Sequence, residues 1–510
     1  MKKALKLIFS RFTCIAIAII LQILLWIFVP VLVNSNHPNS LISINVIIAI
    51  LALLLIIWII NSDMKIEGQL PLIILCILAP ALGVVFCALF VRVKIPRKIK
   101  KYYKRTIDQT KVANEVDDNY YKDLQSKVND YYGQFNYLKN TTNLKSYQNT
   151  NVTFIDEGKK FFDDLLYELN QAKKFIFMEY FIIEKGKIWD SIHSVLKQKS
   201  NEGVKVRLMY DDLGTISRLP SNFYKKLKKE GIECVKFNDY SQFTSSLYNN
   251  RDHRKITVID GKIGYMGGIN IADEYANINC SYGYWKDSAI KLVGDGVKGL
   301  TCILLQLYGI QTGNIENYRD YFVESEEKAQ GIVCPFGDGP KFFYGEHIGE
   351  NLYLNLIGQA KKSVYITTPY LIIDSELRNA LINASKRGVD VRIVTPHIPD
   401  KKIIFDVTRS NYKLLQNGGI RIFEYEQGFI HSKQMLIDGE VAIVGTINLD
   451  YRSMIHHYEC GVLMYKTSCI KDISNDFENI FATSIDMKDF KQAWLAKIFC
   501  ALIKLFTPLF

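Results

Sequence analysis

Two copies of one residue pattern carry the side chains of this sequence that are best suited to chemistry. Each copy has a histidine, a lysine two residues later and an Asp-Gly pair that begins five residues after the lysine. The first copy supplies His253, Lys255 and Asp260, and the second supplies His431, Lys433 and Asp438. One such pattern arises by chance in roughly a few hundredths of chains of this size, and two copies require the square of that rate. Coincidence therefore does not explain the pair.

A glycine-containing turn and an asparagine follow each copy at the same distance. They are Gly268 with Asn270 in the first copy and Thr446 with Asn448 in the second. A neutral imidazole can attack phosphorus, and a lysine ammonium can neutralise the non-bridging oxygens. Amide groups and turn N–H groups can bind the same phosphate. Each copy is therefore predicted to supply half of a pocket for one phosphodiester.

Two histidines on opposite sides of one phosphorus can perform complementary steps. One becomes a covalent phosphohistidine, while the other protonates the leaving alkoxide and later deprotonates the acceptor hydroxyl. This chemistry requires no metal and no cofactor. The ten cysteines show no CxxC spacing, so they indicate neither a zinc site nor a disulfide framework.

Strands are expected to position these side chains, because residues i and i+2 of a strand point to the same side. The chain also repeats itself outside the motifs. Residues 175–183 (FIFMEYFII) correspond to 364–372 (VYITTPYLI), and residues 203–210 correspond to 388–395. Short β-rich runs alternate with helix-like stretches throughout this region, which is typical of an α/β fold. We expect two similar halves, residues 151–325 and 326–485, that share one site.

The net charge of +11 is confined to the first 105 residues, which contain 13 Lys and Arg against Asp63 and Glu67. A nucleic-acid enzyme would more usually spread basic residues over its folded domain. Here the positive residues flank apolar runs, where they are typical of membrane orientation. The charge pattern therefore favours a lipid bilayer as partner and disfavours nucleic acid.

Three apolar stretches, residues 12–33, 41–60 and 70–91, each approach the roughly 20 residues that span a bilayer. We expect residues 1–105 to form a membrane anchor with two to three transmembrane helices, followed by a polar connector over 106–150. Eight Lys and Arg from Arg92 to Arg105 predict a cytoplasmic location for the rest of the chain. Both ends of the anchor are positive, so three crossings cannot place both inside. The first stretch is the weakest span, since it contains Gln22 and Pro30.

Residues 486–510 are predicted to contain a basic amphipathic helix. Its apolar stripe would consist of Phe490, Trp494, Ile498, Leu502 and Leu505, with Lys491, Lys497 and Lys504 on other faces. Such a stripe suits an anionic membrane surface and equally suits packing on the folded domain. The sequence leaves both open.

The paired motifs, with the G-G-x-N and G-T-x-N turns that follow them, resemble the phospholipase D superfamily over residues 150–485. Further segments are similar to bacterial cardiolipin synthases. They are residues 250–255 (NRDHRK), 267–275 (GGINIADEY), 285–287 (WKD) and 450–453 (DYRS), behind the apolar N-terminal runs. The resemblance implies a two-lobed fold of mixed-sheet α/β halves. It also implies that two phosphatidylglycerol molecules are joined into cardiolipin with release of glycerol, and it leaves a homo-oligomer open.

The resemblance assigns roles to the motif residues. His253 would be the nucleophile, and His431 would be first the general acid and then the general base. Which histidine takes which role is a weaker assignment than the participation of both. Asp260 and Asp438 would bind backbone at a strand end. An acidic residue downstream of each motif would hold the catalytic imidazole, Asp287 for the first motif and Glu459 for the second. The residues expected to hold the phosphate are Lys255, Lys433, Asn270, Asn448, Gly268 and Thr446.

The sequence departs from the family pattern at two positions. Thr446 stands where many members have Ser, and His457 stands where synthases usually have Asn. His457 would either alter acceptor or lipid choice or be a tolerated surface substitution. Glu179 is a weaker candidate for lining the site, and Tyr180 is expected in the core.

The motifs do not determine the acceptor alcohol. Water or another alcohol could discharge the same phosphohistidine, so a phospholipase D-type hydrolase or a headgroup-exchange enzyme is the alternative. A nuclease is disfavoured by the neutral charge of residues 106–510. A non-enzymatic lipid-binding scaffold is disfavoured because both motifs are intact.

Overall fold

The computed structural model describes residues 19–20, 22–23, 38–90, 95–116, 118–238, 249–278 and 280–505. These residues form two compact units. The first unit contains the described residues before Arg97, together with Asn249 and residues 498–505. The second unit contains the described residues of 97–238 and 250–497.

Three helices make up most of the described part of the first unit, Pro38–Ile60, Ile66–Leu78 and Pro80–Phe90. The second predicted apolar stretch lies within the first of them. The third stretch is divided between the other two, because Pro80 lacks an N–H and disfavours helical backbone at Ala79. The first stretch, residues 12–33, lies almost wholly outside the described residues. Within the described ranges, no helix combines the length and apolar composition that crossing a bilayer requires.

The first half of the second unit is built on a seven-stranded mixed sheet. The strands of this half are β1 (Thr150–Ile155), β2 (Phe175–Tyr180), β3 (Lys205–Asp211), β4 (Glu233–Phe237), β5 (Lys255–Ile259), β6 (Ile263–Gly267), β7 (Tyr284–Lys286) and β8 (Ala289–Gly294). The sheet has the order β1-β8-β6-β5-β2-β3-β4. β2, β3 and β4 are parallel, and the other neighbours are antiparallel.

The second half is built on an eight-stranded mixed sheet. The strands of this half are β9 (Ile332–Asp338), β10 (Ser363–Thr367), β11 (Leu371–Ile372), β12 (Asp390–Pro396), β13 (Arg421–Tyr425), β14 (Gly428–Ile430), β15 (Gln434–Ile437), β16 (Val441–Gly445), β17 (Leu449–Asp450), β18 (Glu459–Tyr465) and β19 (Ser484–Asp486). The sheet has the order β9-β18-β16-β15-β10-β12-β13-β19. This is the order of the first sheet with one added edge strand, so the predicted duplication of an α/β unit is confirmed.

Helices flank both sheets. In the order of the chain, those of the second unit are Arg97–Ala113, Asp118–Val128, Tyr132–Thr142, Gly158–Gln171, Lys187–Asn201, Asp212–Thr215, Phe223–Lys229, Val297–Thr312, Lys341–Tyr344, Ile348–Gln359, Ser375–Lys386, Lys402–Arg409, Tyr412–Asn417 and Ile470–Ala482. Residues 297–310 are all buried. A helix that is buried on every side packs within a core, and Val297, Leu300 and Ile303 of this helix belong to an apolar cluster that contains residues of both halves.

One apolar core joins the two sheets. Val258 and Ile290 of the first half belong to the same buried cluster as Val444 and Val462 of the second. Burying both sheet faces against each other removes apolar surface from water, at roughly 25 cal/mol per Å². The halves are therefore held in a fixed relation, which a site built from both of them requires.

The stretch 106–150 contributes helices to this unit. Leu124, Val128, Phe135 and Leu138 are buried in a second apolar cluster, together with Ile366 of the second sheet. These residues recur three, four and seven positions apart, so they form one apolar face along two short helices. The stretch predicted as a polar connector thus contains a packed helical layer.

The C-terminal helix, Trp494–Lys504, is shorter than the predicted element. Phe490 precedes it, and the Phe490 ring lies 5.6 Å from that of Tyr412. Trp494, Ile498 and Leu502 are 68%, 54% and 62% exposed. The predicted apolar stripe therefore exists, and most of it faces outward.

Candidate active site

The two motif histidines lie in short extended segments immediately before the strands that follow them. β5 begins at Lys255 and β15 begins at Gln434, so neither histidine lies within a strand. The prediction that His and Lys share one strand is therefore wrong. The His253 N–H donates to the Tyr458 carbonyl at 2.9 Å, and the His431 N–H donates to the Lys286 carbonyl at 2.7 Å. Each segment pairs with the opposite half of the fold.

With these backbone pairings, each motif histidine lies next to an acidic residue of the opposite half. His253 Nδ1 lies 2.9 Å from both carboxylate oxygens of Glu459. His431 Nδ1 lies 2.6 Å from Asp287 Oδ2. Both acidic residues do hold imidazoles as expected, but each holds the histidine of the other motif. An Nδ1–H that donates to a carboxylate leaves Nε2 as the nitrogen with a free lone pair.

Both imidazoles are buried and held neutral. Burial, followed by the charges of Lys255 and Lys433 and by His431, lowers the pKa of His253 well below its usual value. Burial, followed by the charge of Lys433, lowers the pKa of His431 to about 4, although Asp287 opposes this shift. Since His431 is among the groups that act on His253, the two rings share one electrostatic environment. Both are free bases at neutral pH.

The two motif lysines are buried next to the histidines. Lys255 Nζ donates to the His253 carbonyl at 2.5 Å, and Lys433 Nζ donates to the His431 carbonyl. Burial lowers the pKa of Lys255 to about 8 and that of Lys433 to about 7. A bound anion would offset this desolvation, so the pair is suited to a phosphate.

The motif aspartates have the expected role at a strand end. Asp260 accepts the backbone N–H groups of Lys173, Lys174 and Phe175 at 2.7–2.8 Å. Asp438 accepts those of Lys361, Lys362 and Ser363 in the same way. Both have positive φ, 53° and 55°, in the turn that leads to the next strand. They orient backbone, and their partners are not the imidazoles.

The two asparagines predicted to hold phosphate differ in their contacts. Asn270 accepts the Ile182 N–H and donates to the Tyr275 hydroxyl, so its amide already has partners on both ends. The Asn448 side chain acts on Asp450, where it opposes the rise in pKa that burial causes. Its buried Oδ1 has no partner among the described residues.

The two turn residues predicted to hold phosphate make hydrogen bonds within the fold. The Gly268 N–H donates to the Ser288 carbonyl at 2.9 Å, and the Thr446 N–H donates to the Cys460 carbonyl at 2.9 Å. The Thr446 hydroxyl donates to Glu459 Oε2. Both N–H groups are therefore committed to the fold, and Thr446 supports the acid that holds His253. Direct binding of phosphate by these turns stays a prediction.

Gly268 allows Asp287 to approach the turn. A Cβ at this position would lie 2.1 Å from Asp287 Oδ1. We expect Gly268→Ala to lower the free energy of unfolding by about 1–3 kcal/mol, because the carboxylate must move. Chemical denaturation measures this, with Gly133→Ala as control, since a Cβ there meets nothing within 4 Å. Equal stability of both variants would contradict the expectation.

Aromatic rings that sequence reasoning did not single out surround the imidazoles. The ring of Phe181 lies 4.9 Å from that of His253. The rings of Trp285 and Tyr275 lie 5.3 and 5.5 Å from that of His431. Rings at these distances cover part of each imidazole, and burial is the largest cause of the lowered pKa values of both histidines. Trp285 stands two residues before Asp287, which is the signal that could have identified it.

His457 is buried beside His253, with the ring centroids 5.5 Å apart. The interpretation as a surface substitution is therefore wrong. Glu179 is fully buried, and burial, together with Asp252, raises its pKa well above the usual value. The Tyr180 hydroxyl lies 2.8 Å from Thr257 Oγ1 within the core, as expected.

Comparisons with known proteins identify the family of this chain. The family model described as the cardiolipin synthase PLD-like domain matches residues 165–290 and 353–481. A cardiolipin synthase from Halalkalibacterium halodurans is 31% identical over 84% of this chain and 86% of its own length. One from Geobacillus kaustophilus is 35% identical over 70% of this chain and 71% of its own.

The fold is also that of a solved structure, a phosphatidylserine synthase from Haemophilus influenzae. The TM-score is 0.56 at 16% sequence identity, over 74% of this chain and 97% of that one. At this identity the likeness concerns the fold alone. The family model, which spans both motifs, and the two relatives show that this chain belongs to the cardiolipin synthase family of phospholipase D-like enzymes.

Proposed function

We propose that this phosphatidyltransferase is a cardiolipin synthase, which moves the phosphatidyl group of one phosphatidylglycerol to a second one and releases glycerol. The crossed pairs His253–Glu459 and His431–Asp287 carry the proposal. They supply two neutral imidazoles from different halves, each with Nδ1 tied to a carboxylate. Family membership and the names of the relatives support the substrate class.

In the first step, Nε2 of His253 attacks the donor phosphorus and the bond from phosphorus to the glycerol oxygen breaks. The negative charge of the bound phosphodiester favours the imidazolium form of His431, which is neutral in the free site. His431 takes up a proton as the donor binds and passes it to the leaving oxygen, which gives free glycerol. Lys255 and Lys433 stabilise the charge on the non-bridging oxygens.

In the second step, a glycerol hydroxyl of the second phosphatidylglycerol attacks the phosphorus. His431, now neutral, accepts the hydroxyl proton, and the bond from phosphorus to His253 breaks. Glu459 stabilises the His253 ring while it carries the phosphatidyl group, and Asp287 stabilises the His431 imidazolium. Both histidines return to their starting forms after proton exchange with solvent.

We also propose that the enzyme works at the cell membrane, with residues 97–497 on the cytoplasmic side. Large apolar side chains of the helix Pro38–Ile60 are exposed, among them Ile47, Leu53, Leu54 and Ile60, at 56–58%. Exposed apolar surface of this extent suits a lipid environment. The positive residues that follow favour the cytoplasmic face.

Labelled phosphatidylglycerol tests the proposed reaction. Cardiolipin and glycerol in equal amounts are the expected products. Phosphatidic acid as the main product would favour hydrolysis, and products that appear only with another alcohol would favour headgroup exchange. Unchanged lipid would contradict catalysis on this donor.

The pH dependence of kcat/KM tests the electrostatics of the site. We expect kcat/KM to fall as pH rises above about 7, because Lys433 and Lys255, with pKa values of about 7 and about 8, lose the charge that attracts the phosphate. Activity should persist at pH 5, since burial holds the pKa of His253 well below its usual value and the nucleophile stays neutral there. A profile that rises through pH 6.5 and remains flat to pH 9.5 would contradict both shifts.

A further inference from the structure

The two halves of the site differ at one pair of equivalent positions. Two residues before each imidazole-holding acid stand Trp285 in the first half and His457 in the second. The ring of Trp285 lies 5.3 Å from that of His431, and the ring of His457 lies 5.5 Å from that of His253. The indole cannot ligate a metal, whereas the imidazole can. The His253 side therefore has a third donor that the His431 side lacks.

His457 is held in place with unused nitrogens. It follows a π-helical turn, Arg452–His456, and its N–H donates to the Arg452 carbonyl at 2.8 Å. The side chain is nine-tenths buried, and neither Nδ1 nor Nε2 has a hydrogen-bond partner among the described residues. Its Nδ1 lies 3.7 Å from Glu459 Oε1, which is longer than a hydrogen bond. Burying unpartnered polar atoms is unfavourable, so a ligand would relieve the penalty.

Three donors converge at this point. His253, His457 and Glu459 each offer one atom, and the three atoms lie within 4.8 Å of one another. Two imidazoles and one carboxylate, with a fourth position left open, form a donor set that suits Zn²⁺. Modest side-chain movement brings such atoms to the distances of about 2.0–2.2 Å that zinc requires.

We propose that His253, His457 and Glu459 form an inhibitory site for a divalent transition-metal ion of the zinc class. The ion enters between His253 and Glu459 and bonds to Nδ1 of His253. The proton of Nδ1 is exchanged through solvent for a proton on Nε2, so Nε2 no longer has a free lone pair. His253 is then unavailable for attack on phosphorus, so the metal lowers turnover. The inhibitory effect depends on the proposed role of His253, whereas binding of the ion does not.

Cobalt binding to the purified, metal-free full chain tests the site without any turnover. We expect one equivalent of Co²⁺ to give the visible absorption of a tetrahedral complex, which Zn²⁺ abolishes. His457→Asn should weaken cobalt binding at least about tenfold, because removing a ligand exceeds the usual effect of removing a supporting contact. His193→Asn is the matched control, since this histidine faces one carboxylate, Glu230, elsewhere in the fold. Equal binding by parent and His457→Asn chains would overturn the proposal.

Zinc inhibition of phosphatidylglycerol turnover tests the consequence. Each chain is compared with its own zinc-free rate, and His457→Asn should require at least about tenfold more zinc for half inhibition. Chelators should restore the parent rate and not lower it. Equal zinc sensitivity of both chains would contradict inhibition at this site.

X-ray absorption of the zinc-loaded parent chain tests the site independently of any variant. Two imidazole ligands are expected, and sulfur ligation or the absence of imidazole would overturn the proposal. If cobalt binds as expected while the parent chain is inactive on phosphatidylglycerol, the metal site stands and the proposed reaction fails.

Discussion

Replacing His253 or His431 by Ala is expected to lower turnover of phosphatidylglycerol by about 10⁴-fold in each case, and replacing both should lower it little further. The two imidazoles act on one phosphorus, so the loss of either disables the same reaction. Steady-state rates of the three variants at saturating lipid give the result.

His397→Ala is the control for these variants. His397 is a histidine of the second half whose Nδ1 lies 2.8 Å from Glu424, in the same kind of acid–imidazole pair. We expect this variant to keep most of its activity, because the His397 imidazole pairs with Glu424 and not with Glu459 or Asp287. Effects of His253→Ala and His431→Ala that multiply in the double variant would mean that they act in independent reactions.

The crossed acids are expected to produce two different defects. Glu459→Gln should impair His253, and Asp287→Asn should impair His431, because each acid holds the histidine of the opposite motif. Each amide can place an N–H donor where the Nδ1–H of the imidazole needs an acceptor. The imidazole then carries its proton on the wrong nitrogen. We expect each change to lower turnover by roughly 10²–10⁴-fold.

A donor lipid with a p-nitrophenyl leaving group separates the two defects. p-Nitrophenolate leaves without a proton, so the first step no longer needs His431. Asp287→Asn should then release one equivalent of p-nitrophenolate rapidly, and Glu459→Gln should not. The opposite pattern would mean that each acid serves the histidine of its own half, contrary to the structure.

The duplicated fold could be predicted from the sequence because repeats and strand patterns are local properties. The corresponding segments 175–183 and 364–372 contain β2 and β10, which occupy equivalent central positions in two sheets with the same strand order. The histidines lie outside the strands in which they were predicted, because their backbone N–H groups donate to Tyr458 and Lys286 of the other half. A strand pattern carries no information on such pairing. The division of the third apolar run at Ala79 could have been expected from Pro80.

The site was predictable in its residue types and less so in its contacts. The motif identified both histidines and both lysines, and the resemblance supplied the two acids. The resemblance assigned each acid to the histidine of its own motif, whereas in the structure each acid holds the histidine of the other motif. Gly268 lies against Asp287, and Thr446 donates to Glu459. A sequence motif cannot distinguish such a supporting role from a role in binding phosphate. His457 was buried by the π-helical turn before it, which no spacing rule predicts.

The most direct test of the central claim is the mass of the protein after a single exposure to the p-nitrophenyl donor lipid. In the His431→Ala chain, where discharge to the acceptor is slow, we predict one added phosphatidyl group per chain, located on His253 by peptide mapping at alkaline pH. The same treatment of His253→Ala should leave the mass unchanged. A phosphatidyl group on any other residue, or none in His431→Ala despite release of p-nitrophenolate, would contradict the mechanism.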